Sequence, residues 1–274
     1  MTTEQQPTSR TTREVDLLWG LDRPAPRRGP RPKLSREAVV DAAVAVADAE
    51  GLEAVSMQRV AKELGYTTMS LYRHVDSKED MLVLMSDRAM EGTPPAPRPD
   101  RGWRAGVEEW VHEVMEVYRR HPWAIQLPLS GPPVGPNGLR WMEAGLREVV
   151  RSGLDVGGAL QMLSMLSSLL RDTLRLEADM ARAAREAGST MAEAERDYSV
   201  GLRKVVTREE FPTIAMMLES AVLEEEPQPG SPDRLGGPAE EFDFSLHRVL
   251  DGIEVHVGRL RAEREAGGGD APAR

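Results

Sequence analysis

The sequence predicts an all-α protein: a compact three-helix unit near the N-terminus, then a larger helical region. Three observations predict this. Apolar residues return three and four apart over most of residues 35–265, and no stretch keeps a convincing strand alternation. The early segments are punctuated as helices are, with a serine before and a glycine after, in Ser35…Gly51, Ser56…Gly65 and Ser77…Gly92. Proline-rich or glycine-rich stretches break the pattern, notably Thr93-Pro-Pro-Ala-Pro-Arg-Pro99 and Gly131-Pro-Pro-Val-Gly-Pro-Asn-Gly138.

At 274 residues the chain suits two domains or one large one, and it can bury a substantial core. It has no cysteine, hence no disulfide framework and no cysteine metal site. No apolar run reaches the roughly 18 residues of a membrane span, and the N-terminus lacks the apolar core of a signal peptide. The expected location is the cytoplasm, with no membrane partner. A formal charge of −10 disfavours loose association with polyanions, so any nucleic-acid role rests on where the cations lie.

Residues 1–34 read as a flexible basic arm. Pro24, Pro26, Pro30 and Pro32 prevent a continuous helix. Within the arm, Val15-Asp-Leu-Leu-Trp19 is an apolar island suited to one docked turn. Arg27, Arg28, Arg31 and Lys33 fit either a solvated tail or an arm in a minor groove, whose negative potential attracts arginine. A helix follows over about Arg36–Glu50, capped by Ser35 and ended by Gly51. Val39, Ala43, Val46 and Ala47 form its inner face.

From Ser56 to Lys78 the chain reads as two short helices around a tight turn. Ser56 caps the first, Val60, Ala61 and Leu64 share its inner face, and Gly65 closes it. Thr67 or Thr68 caps the second, whose Leu71 and Val75 point inward. Thr67, Thr68, Met69, Tyr72, Arg73 and His74 are left mainly outward, a set suited to phosphates and base edges. The local positives are Arg59, Lys62, Arg73 and Lys78, against Glu63 and Asp76. Spacing alone also fits a purely structural corner. A further helix opens at Ser77-Lys78-Glu79, carries Met81, Leu82, Leu84, Met85 and Met90, and stops at Gly92. The domain boundary is placed in the proline stretch after it, giving a unit over residues 35–92.

The order of residues favours the functional reading. Ala61-Lys-Glu-Leu-Gly65, Leu71-Tyr-Arg-His-Val75 and Ser77-Lys-Glu-Asp-Met-Leu82 closely resemble the DNA-binding domain of the tetracycline-repressor (TetR) family, over about residues 35–91. Tyr66 departs from that pattern, which usually has a smaller aliphatic residue there. The resemblance implies that the second short helix enters the major groove. Carried over position by position, it makes Gln58, Thr67, Thr68, Met69 and Arg73 base-contact candidates. Ser56, Ser70, Tyr72, His74 and Lys78 become phosphate-contact candidates.

Residues 100–265 read as a second, helical region. Trp103–Arg120 carries the stripe Val107, Trp110, Val111, Val114 and Val117 or Tyr118, and His121-Pro122 breaks it. A short apolar piece spans Trp123–Leu129. Helices follow over about Leu139–Arg151, Asp155–Ala187, Ser189–Arg208 and Phe211–Glu225. An acid- and proline-rich loop spans about 226–241. The last helix, Phe242 to about Glu265, carries Leu246, Val249, Leu250, Ile253, Val257 and Leu260, and residues 266–274 are a disordered tail.

Trp110, Val114, Trp123, Trp141, Met162 and Met165 are the candidates for an adaptable apolar pocket, although such residues most often simply pack a core. His112, His121, His247 and His256 are scattered singly, so no metal site or cofactor is expected. Neither a nucleophile–base pair nor a phosphate-cradling glycine loop is present, so no enzyme is expected.

This second region resembles the TetR type of regulatory domain more weakly, through Gly135-Pro-Asn-Gly-Leu-Arg-Trp-Met142 and Phe242-x-Phe-x-x-x-Arg-Val-Leu-Asp-Gly-Ile253. That resemblance implies a homodimer sealed by Leu163, Leu166 and Leu170 of the long helix and Leu246, Leu250, Ile253 and Val257 of the last. The expected protein is a repressor that binds a palindrome in double-stranded DNA and is released by a small, largely apolar effector. The alternative is an all-α protein that sequesters a small molecule without reading DNA.

Overall fold

The computed structural model describes residues 9–22, 34–128, 131–219 and 238–267. No strand occurs among them, and no described helix is long and apolar enough to cross a membrane. They fall into two compact units, Met1–Ser167 and Ser168–Arg274. The arm cations Arg27, Arg28, Arg31 and Lys33 lie outside the described residues, as do most of the loop read at 226–241 and residues 268–274.

The first unit opens with α1 (Arg10–Trp19), a longer element than the single turn expected at Val15–Trp19. Ser9 caps it by accepting from the Thr12 N–H, Arg10 pairs with Glu14 one turn on, and Leu17 is buried. α2 (Arg36–Glu50) has the expected bounds, with Ser35 accepting from the Ala38 N–H and Gly51 at φ 86° after it. The Glu37 carboxyl in its first turn lies below the usual carboxylate range, first because of the Ser35 hydroxyl and then its own backbone N–H. Because the folded value is the lower one, this contribution is complete above the ordinary carboxylate range and is lost as pH falls through the folded value.

A 3₁₀ turn (Leu52–Ala54) leads to α3 (Met57–Leu64), α4 (Thr68–Leu71) and α5 (Lys78–Ala89). Val39, Ala43, Val55, Val60, Leu71, Val75, Met81 and Met85, each with 0% exposure, fill the core between them. Burying side chains of this size contributes roughly 1.5–3 kcal/mol for each larger one.

α6 (Trp103–Arg120) and α7 (Pro136–Val150) pack together beyond that core. Met115 joins the stripe expected on α6, and Val117 rather than Tyr118 is its fully buried end. The 3₁₀ segment Pro122–Gln126 turns back, and its Trp123 and Ala124 enter the α2–α5 core. α7 begins three residues before Leu139, because α5 supplies its cap. Asp87 accepts from the Asn137 N–H at 3.1 Å, the Gly138 N–H at 2.9 Å and the Asn137 side-chain amide at 3.1 Å. A Cβ at Gly135 would collide with that carboxylate, so the close approach requires glycine.

Gly145 on α7 is equally constrained. A Cβ there would lie 2.6 Å from Leu163 Cδ1 and 2.7 Å from Trp110 Cε2. The indole cannot move aside freely, since its N–H donates to the Trp141 carbonyl at 2.8 Å. Gly145→Ala gains up to about 1 kcal/mol of helix propensity but overpacks this contact by roughly 1–3 kcal/mol. Net destabilisation is expected, read as a lower urea midpoint; an unchanged or raised midpoint would show that the site relaxes.

The long α8 (Val156–Glu186) starts in the first unit, with Asp155 Oδ1 accepting from the Gly158 N–H at 2.7 Å, and runs on into the second. The second unit adds α9 (Met191–Leu202), α10 (Pro212–Glu219) and α11 (Pro238–Gly267). Thr190 and Glu193 form a reciprocal capping box at the start of α9. That helix ends at Leu202, short of the expected Arg208, where tight turns carry the chain toward α10 and the Arg203 guanidinium donates to the Leu218 carbonyl.

Candidate nucleic-acid interface

The residues around the α3–α4 turn are positioned by local chemistry. Ser56 Oγ accepts from the Arg59 N–H at 3.1 Å and starts α3. Gly65, at φ 73°, ends it: its N–H reaches the Lys62 carbonyl, and the next N–H, that of Tyr66, reaches Ala61 at 2.9 Å. This paired closure needs a left-handed residue, which glycine adopts without a Cβ clash.

The following segment is shorter as a helix than expected. Only Thr68–Leu71 is regular; tight turns then carry the chain on, with the His74 N–H at 2.7 Å and the Val75 N–H at 3.0 Å both on the Leu71 carbonyl. Thr67 occupies the cap position, yet its hydroxyl bonds the Ser70 hydroxyl at 3.0 Å rather than a backbone N–H. Leu71 and Val75, both with 0% exposure, hold this segment to the core as the sequence predicts.

With those two anchors inward, Gln58, Thr67, Met69, Tyr72, Arg73 and Lys78 are exposed, and Ser56, Thr68, Ser70 and His74 are half-buried. Met69 stands furthest out at 73% exposure. Among the described residues Arg73 and Lys78 have no carboxylate partner. Arg59 does, and differs for that reason. It donates to Glu50 at 2.5 Å and Glu63 at 2.8 Å, which hold its guanidinium more firmly protonated, Glu50 foremost. Arg59 therefore neutralises protein charge, leaving Lys62, Arg73 and Lys78 as the cations around this turn without a carboxylate partner among the described residues.

Sequence reasoning missed Arg36. Its guanidinium bonds the Leu17 carbonyl at 3.0 Å, the Asp22 carboxylate at 2.5 and 3.0 Å, and the His74 carbonyl at 3.2 Å. The available signal was its position: a cation at the first residue of a helix opposes the helix dipole and needs another reason to be there.

The apolar candidates do not gather round one cavity among the described residues. The indole N–H groups of Trp110, Trp141 and Trp123 donate to the Trp141 carbonyl, the Met90 carbonyl at 2.9 Å and Asp48 at 2.6 Å respectively. Trp123 belongs to the α2–α5 core. Val114 is buried, Met162 is half-buried, and Met165 is 44% exposed. The crevice beside Trp110, Ala144 and Glu148 holds about 10 Å³, room for one water at most.

The seven residues expected at a dimer seam are already buried by their own chain. Leu163, Leu166, Leu170, Leu246, Leu250, Ile253 and Val257 have exposures of 4, 1, 1, 0, 0, 2 and 4%. Phe244 and Val255, on the same helix α11, are each 55% exposed. His121 Nδ1 lies 2.8 Å from Asp48, and no cluster of three metal-ligating side chains occurs among the described residues.

Comparison with known proteins adds sequence and fold relatives. Residues 39–85 match the bacterial regulatory proteins of the tetR family, and residues 96–257 match the tetracyclin repressor-like C-terminal domain. The HTH-type transcriptional repressor DrrR1 of Streptomyces coeruleorubidus is 38% identical over 262 residues, covering 95% of this chain and 92% of its own. Apo ActR from Streptomyces coelicolor superposes with a TM-score of 0.67 at 23% identity, covering 84% of this chain and 99% of ActR. ActR in complex with actinorhodin gives 0.65 at 25% identity, covering 80% and 95%.

Proposed function

The chain belongs to the tetR family of bacterial transcriptional regulators, and on that premise we propose that it represses transcription as a homodimer on a palindromic operator, released by a small, largely apolar effector. The observation that carries the DNA-binding part is the α4 segment. Leu71 and Val75 are fully buried, while Met69, Tyr72 and Arg73 stand in solvent on the same short turn. Two such segments held at a fixed spacing would read two half-sites about one DNA turn apart. Gln58, Thr67, Thr68, Met69 and Arg73 are the proposed base contacts. Ser56, Ser70, Tyr72, His74 and Lys78 are the proposed phosphate contacts.

The effector part draws on the relatives, since ActR has been solved with actinorhodin and with (S)-DNPA. In this chain Met162 and Met165 are the members of the apolar set that keep solvent access without a fixed polar bond. The indoles of Trp110, Trp123 and Trp141 are held by hydrogen bonds to the Trp141 carbonyl, Asp48 and the Met90 carbonyl. No turnover of the effector is proposed.

A gel shift tests the reading. The full chain should retard a DNA fragment from upstream of its own gene at nanomolar concentrations, as specific sites typically require, and actinorhodin or a similar polycyclic probe should release it. Equal retardation of every fragment, or of none, would instead favour a small-molecule sequestering protein.

A further inference from the structure

α1 lies outside both family-matched regions, which begin at residues 39 and 96, yet it is bonded at three places to elements beyond itself. At its first turns Arg13 Nη2 donates to both carboxylate oxygens of Asp80 on α5, at 2.8 and 2.9 Å. At its C-terminal end the Leu17 carbonyl accepts from Arg36, the same guanidinium that holds the His74 carbonyl at the end of the α4 segment. The Arg36 side chain is only 12% exposed, so these bonds are largely sheltered from water. At its last residue the Trp19 indole N–H donates to the Val134 carbonyl at 2.9 Å, in the loop that leads into α7.

We infer that α1 is a strap that ties the α4 segment to the start of α7, with Arg36 as the positioning residue at its near end and Trp19 as the anchor at its far end. The strap rests on the proposed role of α4 in DNA reading only for its consequence; its existence is a matter of bonds. At the N-terminal end of α7 two links then join it to the α4 unit, and one turn further on the Trp141 indole also bonds the Met90 carbonyl. One is direct, where α5 offers Asp87 to the α7 N-terminus. The other runs Val134–Trp19–Leu17–Arg36–His74. A shift of the α7 end reaches α5 through the first and the exit of α4 through the second, so the two move together. With one link, α5 could tilt while the α4 turns kept their place; with two, the His74 carbonyl is pulled as well. A cleft of about 330 Å³ lies along the strap, lined by Leu17, Trp19, Arg36, Val40, Asp87 and Asn137.

Amide hydrogen exchange on the full chain without DNA tests this directly. Trp19→Phe keeps the apolar ring and removes only the bond to Val134. Because one net hydrogen bond biases local opening by a modest factor, exchange at His74 and Val75 should quicken roughly two- to tenfold, although the substitution removes no bond to either, with α6 unchanged. Arg36→Lys, which loses the guanidinium fork, should quicken the same two amides further and loosen α1. The strap is overturned if Trp19→Phe quickens only α1 and leaves His74 and Val75 at their wild-type rates. It is equally overturned if Arg36→Lys alone acts, for then Arg36 is a local clamp with no tie to α7. Both variants are measured as free protein, so the outcome stays separate from whether the chain binds DNA at all.

Discussion

Arg73→Ala should lower affinity for the best operator by about 1–3 kcal/mol and erase preference at one base pair of each half-site. The reason is geometric. A guanidinium can donate two parallel bonds to guanine O6 and N7, and Arg73 is exposed, at the outward side of the α4 turns, with no carboxylate among the described residues to compete for it. Arg59, earlier in the chain on α3, cannot substitute, since Glu50 and Glu63 already occupy its fork. Lys78→Ala is the contrasting case. As a proposed phosphate contact, a lysine at the first turn of α5 would act as a point charge, so its loss should weaken all sequences alike and lower the salt slope by about one per subunit. Fluorescence anisotropy across a salt series, on the operator and on duplexes altered one base pair at a time, separates the two. If Arg73→Ala keeps both affinity and preference, α4 is not the reading element.

The parts of this fold that were legible in the sequence are those set within a few residues. Ser35, Ser56 and Ser77 each accept from a backbone N–H three residues on, so a serine before an apolar repeat was enough to find three helix starts. Leu71 and Val75 were legible for the same reason, four apart on a helix-like turn. What escaped depends on partners far along the chain. α1 is held by Arg13 on Asp80, 67 residues away, and α7 starts early because Asp87 caps it from 50 residues back. No local pattern announces either. The pocket expectation was limited by a different ambiguity. A tryptophan at helical spacing says that a ring is buried, and only the structure says that the Trp110 and Trp123 indoles donate to a carbonyl and an aspartate. The stripe on α11 carried the same ambiguity: periodicity reports that a face is covered and does not say by which chain.

That last distinction makes two aspartate substitutions on α11 behave differently, and the difference tests the proposed dimer. Ile253 is 2% exposed within its own chain, whereas Val255, two residues on and facing the other way, is 55% exposed. Ile253→Asp places a carboxylate in a covered site without a partner, costing several kcal/mol; it should lower the melting temperature and loosen the second unit whatever the oligomeric state. Val255→Asp costs the isolated chain little. On α11, Phe244 and Val255 stand about three helical turns apart and form one outward stripe; on α8, Leu176 and Met180 stand about one turn apart, 61% and 40% exposed. These are the faces we propose for the two-fold seam. A two-fold axis brings each carboxylate into the seam twice, so Val255→Asp should give a folded monomer with unchanged helix content. A monomer engages one half-site at a time and loses the effective concentration supplied by the first contact, so operator affinity should fall by roughly 10²–10⁴. Sedimentation and anisotropy on the same sample decide it: a Val255→Asp protein that remains dimeric and binds at full strength puts the seam on another face.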